Sequence, residues 1–253
     1  VLPERSDRER LVPLVRSDLA FVDALLGHDR VCERLIGDDE VILRVTPQLF
    51  FSVLLRRVRQ DLEAAAYTLE RRQGQRLAVF DTQQAAGLLA DRLLRDYLAG
   101  MLASFTRVQG VTRRVRVRRG VWRKLRFNDL DVDSLIRYSS DVEEEHRFEV
   151  YRRIADVCLF LAGMFPEYIE SQRRYPLSGA LRPARGGFRR SLEDYEREGR
   201  TFYSLAAGHQ GARASQLSAP LTALAQSFEL ARKPLSHLSD HYLRLRKHTL
   251  FEL

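Results

Sequence analysis

Eight apolar residues near the C-terminal end, Leu221, Leu224, Phe228, Ala231, Leu235, Leu238, Tyr242 and Leu245, are spaced 3,4,3,4,3,4,3. A strand cannot keep such spacing on one face, whereas a helix places all eight on a single stripe. The segment therefore predicts a helix over about 219–247 that must bury one side. The stripe fits packing inside the chain's own bundle, and it also fits the seam of a homodimer. Pro234 lies within the run, where it removes a helical hydrogen bond at about 3 kcal/mol unless the chain bends. A bend suits a helix wrapped on its own core.

Further helices follow from start signals. Ser17 opens an apolar-periodic stretch reaching about Ile36. Thr46-Pro47 sets a capping hydroxyl before a proline at the first helical position. The run behind it puts Phe51, Leu54, Leu55, Val58, Leu62, Ala65 and Leu69 on one face, which predicts a helix over about 47–72. Asp81 is expected to cap a helix over about 82–106 carrying Leu88, Leu93, Leu94, Leu98, Leu102 and Phe105. Ser140-x-x-Glu143 reads as a capping box before Phe148, Tyr151, Ile154, Ala155, Cys158 and Ala162, a helix over about 141–162. Gly163 is the expected stop and Pro166 the restart. Ser191-x-x-Asp194 resembles a second capping box, for a helix ending near Gly208.

One segment breaks the helical period. From Val111 to Phe127 the apolar residues Val111, Val115, Val117, Val121, Leu125 and Phe127 fall on odd numbers, the alternation of a strand. Arg118-Arg119-Gly120 suits a three-residue hairpin loop, pairing Val117 with Val121 and Val111 with Phe127. The expected fold is thus mainly α: a single domain over 1–253, a bundle of about six to seven helices with one inserted basic β-hairpin at about 111–127. Residues 171–190, with Pro176, Pro183 and Gly186-Gly187, read as a long basic loop.

Charge is concentrated where the helical pattern lapses. The chain has 42 Lys and Arg against 34 Asp and Glu. Residues 107–126 hold nine basic side chains and no acid, and 171–192 hold six and no acid. The rest of the chain has 27 basic against 34 acidic residues, so the excess forms a patch and not a general bias. In the expected register the polar face of the hairpin carries Arg114, Arg116, Trp122, Lys124 and Arg126. Arg114 stands opposite Lys124, a like-charge pair that is unfavourable unless something offsets it. Nucleic acid would offset it, with arginines on phosphates and Trp122 free to stack on a base. The acidic stretch Asp129, Asp131, Asp133, Asp141, Glu143, Glu144 and Glu145 would offset it from within, and so would an acidic protein partner. Adding the loop residues gives a candidate polyanion-binding set: Arg114, Arg116, Arg118, Arg119, Trp122, Lys124, Arg126, Arg185, Arg189 and Arg190. None of the named DNA- or RNA-reading motifs is present, so binding to nucleic acid would be led by the backbone.

Catalytic and cofactor motifs do not emerge. Glu143-x-x-His146 is half of a di-iron helix motif and has no second copy. His237 and His241 are one turn apart, but Lys233, Arg244 and His248 share their stripe, which suits a solvated basic flank better than a metal site. Phosphate-binding glycine loops and a nucleophile elbow are absent. Cys158 sits on an apolar face and reads as a buried small hydrophobe; nothing in the sequence places a base beside Cys32. No catalytic residue, metal or cofactor is assigned. With two cysteines, no run near the ~20 apolar residues of a membrane span and no leader pattern, the expected setting is the cytoplasm.

Asp156-x-x-Leu159-Phe160-x-x-Gly163-x-Phe165-Pro166-Glu167 resembles a segment of uncharacterised bacterial all-helical proteins. In that group a tyrosine–glycine–tyrosine helix follows, similar to Tyr195, Gly199 and Tyr203 here, and the stretch around Leu238–Leu243 has the same look. The resemblance covers roughly the C-terminal 100 residues. It implies a bacterial origin and a shared fold, with no activity or site residue attached. Physically it is a corner, with Gly163 ending a helix, Phe165 plugging the turn and Pro166 starting the next. The leading functional expectation is a non-enzymatic protein that binds a polyanion or an acidic partner. Two alternatives remain: a helical enzyme or small-ligand protein with a pocket around His146 or the glutamates, and an oligomeric scaffold exchanging the hairpin between subunits.

Overall fold

The computed structural model describes residues 24, 26, 28–37, 45–72, 75–106, 112–118, 121–126, 130–174, 190–244 and 246–251; for 68–72, 75–77, 112–118, 121–126 and 171–174 only the backbone is described. The chain is mainly helical. In order, the elements are α1 (Asp29–Gly37), α2 (Pro47–Ala64), β1 (Thr68–Arg72), β2 (Gln75–Val79), α3 (Thr82–Ala90), α4 (Arg92–Phe105), β3 (Thr112–Arg118), β4 (Val121–Arg126), α5 (Val132–Asp141), α6 (Arg147–Met164), α7 (Pro166–Arg174), α8 (Leu192–Gly208), α9 (Gln210–Ala214), α10 (Ser218–Gln226), α11 (Phe228–His241) and α12 (Lys247–Leu250). The two strand pairs, β1 with β2 and β3 with β4, are antiparallel at the backbone. No described helix is long and apolar enough to cross a membrane.

Twelve α-helices among the described residues replace the expected six or seven, because polar residues cut the long periodic runs. Asp91 divides the expected 82–106 helix: its carboxylate accepts from the Leu93 and Leu94 amides at 2.9 and 3.3 Å and starts α4 afresh. The break also shifts the phase of the stripe, leaving Leu93 60% exposed while Leu94, Leu98 and Leu102 are fully buried. Asp131 caps α5 in the same way. Ser140, expected to open a capping box, lies inside α5, and α6 starts only after a 3₁₀ turn at Glu144–His146. The helix expected over 47–72 stops at Ala64, so Leu69 belongs to β1. Part of the expected basic loop, 171–174, continues α7. Ser17 and residues 175–189 lie outside the described residues.

The C-terminal stripe is interrupted at Ser227 and not at Pro234, which stays within α11. The turn at Ser227 lets α10 lie against α8 and α4 while α11 lies against α6, α2 and α3. Leu221, Leu224, Phe228, Ala231, Leu235 and Leu238 are all fully buried within the chain. Those six positions therefore pack internally and form no surface seam for a second copy.

At the centre is α6, with Ile154 through Met164 buried almost without interruption. Two glycines set how closely its neighbours approach. A Cβ on Gly163 would stand 2.6 Å from the Leu235 Cβ, so α11 crosses α6 at that point. One on Gly199 would stand 2.1 Å from Cε2 of Phe228, whose ring fills the space against α8. Gly163 does not stop α6, which runs one residue further to Met164; Phe165 then plugs the corner at 3% exposure and Pro166 opens α7. The Ser191–Asp194 capping box is present in full, and α8 ends at Gly208.

Candidate functional site

At backbone level, β3 and β4 pair Thr112 with Arg126, Arg114 with Lys124 and Arg116 with Trp122, and an irregularity after Arg116 sets Arg118 opposite Val121. Strand alternation puts Thr112, Arg114, Arg116, Trp122, Lys124 and Arg126 on one face. Arg119, Arg185 and Arg189 lie outside the described residues. Arg190 departs from expectation. Its guanidinium donates to Glu198 at 2.6 Å and to Asp133 at 2.7 Å, and its side chain is only 10% exposed. The Arg190 ion is held between α8 and α5, and those two carboxylates raise its pKa despite the cost of burial. Arg190 thus clamps the fold and is withdrawn from the polyanion-binding set.

The acidic stretch expected to offset the basic strands is partly occupied elsewhere. Asp131 accepts from the amides of Asp133 and Ser134 and from the Ser134 hydroxyl, and Asp133 holds Arg190. Asp141, Glu143, Glu144 and Glu145 are exposed, as is His146. The pocket around His146 that would have favoured an enzyme is therefore not formed by these residues. Among the described residues no group of three or more His, Cys, Asp or Glu is placed to hold a metal ion.

Sequence periodicity missed a buried acid. Asp156 sits inside the apolar run of α6, and its Oδ1 accepts from the Tyr97 hydroxyl of α4 at 2.6 Å and the Tyr203 hydroxyl of α8 at 2.8 Å. Burial pushes the Asp156 carboxyl above its ordinary range, opposed by the two phenols and by Arg152. Burial likewise raises both phenols well above theirs. One carboxyl thus joins three helices. With both hydroxyls aimed at a shared oxygen and surrounded by packed side chains, the network specifies the core's arrangement and exposes no reactive group. The signal available in the sequence was a lone acid in a stretch otherwise apolar on every side.

A second polar cluster joins α2 and α11. Asp61 accepts from the Tyr242 hydroxyl and sits 3.3 Å from Nε2 of His237, and Arg57 donates to the Tyr242 oxygen at 3.2 Å and pairs with Asp61 and Asp29. His237 is thus partly buried against a carboxylate and not on a solvated basic flank. Lys233, on the same helix, is buried and paired with Asp81, the residue before α3, which makes no side-chain capping bond. The Cys32 thiol nearby is pushed up to about 11 by burial, far from the thiolate that nucleophilic chemistry needs. The rings of His237 and His241 stack with centroids 3.9 Å apart, and burial, then His241, lowers the His237 pKa. An imidazole with a depressed folded pKa stabilises the fold above its unfolded value near 6.5, and that stability is lost as pH falls. Between about pH 7 and about pH 5, thermal unfolding of the His237→Gln variant should change less with pH than that of the unsubstituted chain. Equal slopes in the two melting series would refute this.

No protein-family model, curated protein or solved structure matches the chain. Asp156 and Tyr203, quoted above for their resemblance to bacterial helical proteins, meet in a hydrogen bond, while Gly163 and Gly199 are both close-approach glycines. These four residues act in packing.

Proposed function

We propose that this chain is a binding protein that engages a polyanion, nucleic acid in the first place, through the basic face of β3 and β4. The observation that carries the reading is the strand register, which sets Arg114 against Lys124 and Arg116 against Trp122. A two-stranded ladder is marginal on its own in water, and a like-charge rung weakens it further. Phosphates reverse the sign of that rung, so the ladder gains most from a polyanionic ligand. Of the internal carboxylates that could do the same, Asp131 and Asp133 are engaged by α5 and Arg190.

Arg114, Arg116, Arg118, Arg119, Lys124 and Arg126 supply phosphate contacts on this reading, and Trp122 supplies a stacking surface. Backbone-led contacts carry little sequence preference. The cytoplasm is the setting taken here, where free thiols such as Cys32 and Cys158 stay reduced.

Fluorescence anisotropy with labelled oligonucleotides across a salt series tests the reading. The logarithm of the binding constant should fall with the logarithm of salt at about 0.7–0.9 per neutralised phosphate. Reversing Arg114, Arg116 and Lys124 to glutamate should abolish binding and leave the helical circular dichroism unchanged. Unaltered affinity in that variant, or no binding by the parent chain at low salt, would dismiss the basic face as the ligand surface.

A further inference from the structure

The first strand pair has two exposed aromatic residues at its root. The register runs Thr68 to Val79, Leu69 to Ala78, Glu70 to Leu77, Arg71 to Arg76 and Arg72 to Gln75. Tyr67 and Phe80 flank its first rung, with ring centroids 6.0 Å apart and planes tilted by 58°. Alternation along the strands assigns Tyr67, Leu69 and Arg71 of one chain direction and Arg76, Ala78 and Phe80 of the other to a common face. Glu70 falls on the opposite one.

Where side chains on this face are described, they are open to solvent. Phe80 is 78% exposed, Tyr67 is 50% exposed, and Ala78 is exposed as well. Burial favours an aromatic ring strongly, so two neighbouring rings left largely in water gain little from folding. Their base is anchored: the Thr82 hydroxyl donates to the Ala65 carbonyl at 2.9 Å and the Gln83 amide to that of Glu63 at 3.0 Å, tying the start of α3 to the end of α2. The rings are therefore presented from a fixed root. Farther along the same face comes Arg71 paired with Arg76, another like-charge rung.

We propose that this face of β1 and β2 is a stacking platform for single-stranded nucleic acid. Tyr67 and Phe80 offer their ring faces to unpaired bases, and the Arg71–Arg76 rung supplies positive charge for the adjoining phosphates. Exposed aromatic rings beside basic residues are the chemistry that single strands use, because every base has a free π-face when unpaired. In a duplex those faces are already stacked on one another. The inference rests on the nucleic-acid reading above and narrows it: the occupant is single-stranded.

The test compares a labelled oligothymidylate with a duplex of equal length, using the full chain, a Tyr67→Ser/Phe80→Ser variant, a Tyr67→Trp/Phe80→Trp variant and the charge-reversed β3–β4 variant. The parent chain should prefer the single strand. Each ring removed should weaken single-strand binding by about five- to a hundredfold, with duplex binding, salt slope and melting temperature unchanged. The tryptophan variant should retain binding and show fluorescence quenching by thymine. Loss of single-strand binding in the serine variant but not in the charge-reversed one would support this platform while removing β3–β4 from the site. Equal affinity for both oligonucleotides, or serine substitutions without effect on the single strand, would overturn the platform and leave the basic-face reading intact. Binding of neither oligonucleotide overturns both. A serine variant that alters only the molecular mass in solution makes the face a contact between copies and overturns the platform too.

Discussion

Replacing Asp156 with alanine is expected to lower stability by about 3 kcal/mol, since it strips two buried phenols of their acceptor. For a chain of this size the melting temperature should fall by roughly 6–12 °C. Asp156→Asn keeps an oxygen for Tyr97 and Tyr203 and should cost about 1 kcal/mol or less, so the comparison separates the lost acceptor from the lost charge. The pH dependence has a definite sign. A carboxyl whose folded pKa is raised binds its proton more tightly in the folded chain, so Asp156 favours folding more as pH drops from neutrality towards its ordinary value of 3.8. The parent chain should therefore gain on the asparagine variant upon acidification. A gap that widens the other way, or an alanine variant as stable as the parent, would remove Asp156 from its place in the core.

Gly199→Ala should destabilise although it lies inside a helix, where glycine-to-alanine ordinarily gains up to about 1 kcal/mol. Its new Cβ would fall 2.1 Å from Cε2 and 2.5 Å from Cζ of Phe228. That ring is fully buried and also lies beside Tyr203, with centroids 6.1 Å apart, so it cannot swing into solvent. Overpacking of this kind costs about 1–3 kcal/mol. Gly100, inside α4, has nothing within 4 Å of its would-be Cβ, and Gly100→Ala should raise the melting temperature. Phe228→Leu should recover part of the loss in the Gly199→Ala background. Denaturant titrations and thermal melts of the four proteins measure all of this, and two alanine variants shifting in the same direction would contradict the close approach.

Two local start signals and one apolar face were read correctly. Thr46 caps α2 by accepting from the Leu49 amide at 3.3 Å, Phe51 through Leu62 are buried on the predicted face, and the Ser191 box is complete. The internal packing of the Leu221–Leu238 stripe was one of two readings its spacing allowed. Failures came from two sources. Asp91 restarts a helix in a run whose apolar period barely changes, so the period alone extends the 82–106 helix through it, whereas the helix that Asp131 caps lies in a stretch read only as acidic. The other features depend on residues far away in the chain: Gly163 looked like a stop because nothing nearby shows that Leu235 will cross there, and His237 looked solvated because Asp61 lies 176 positions earlier. Arg190 was grouped with its basic neighbours for the same reason, its carboxylate on α5 being 57 positions before it. Charge runs identify segments, and only the fold identifies which charges are already matched.

The carboxyl shared by two phenols also bears on the order in which the chain is made. Tyr97 emerges 59 residues before Asp156 and Tyr203 emerges 47 residues after it. While synthesis has reached only α6, the acid has one of its two donors, and Phe228, which fills the notch at Gly199, does not yet exist. The N-terminal helices can gather on the growing α6, but the ribosome must deliver α8 before that acid is fully bonded and α10 and α11 before the notch is closed. A nascent chain stalled short of residue 203 therefore carries an acid that lacks one of its two phenol donors.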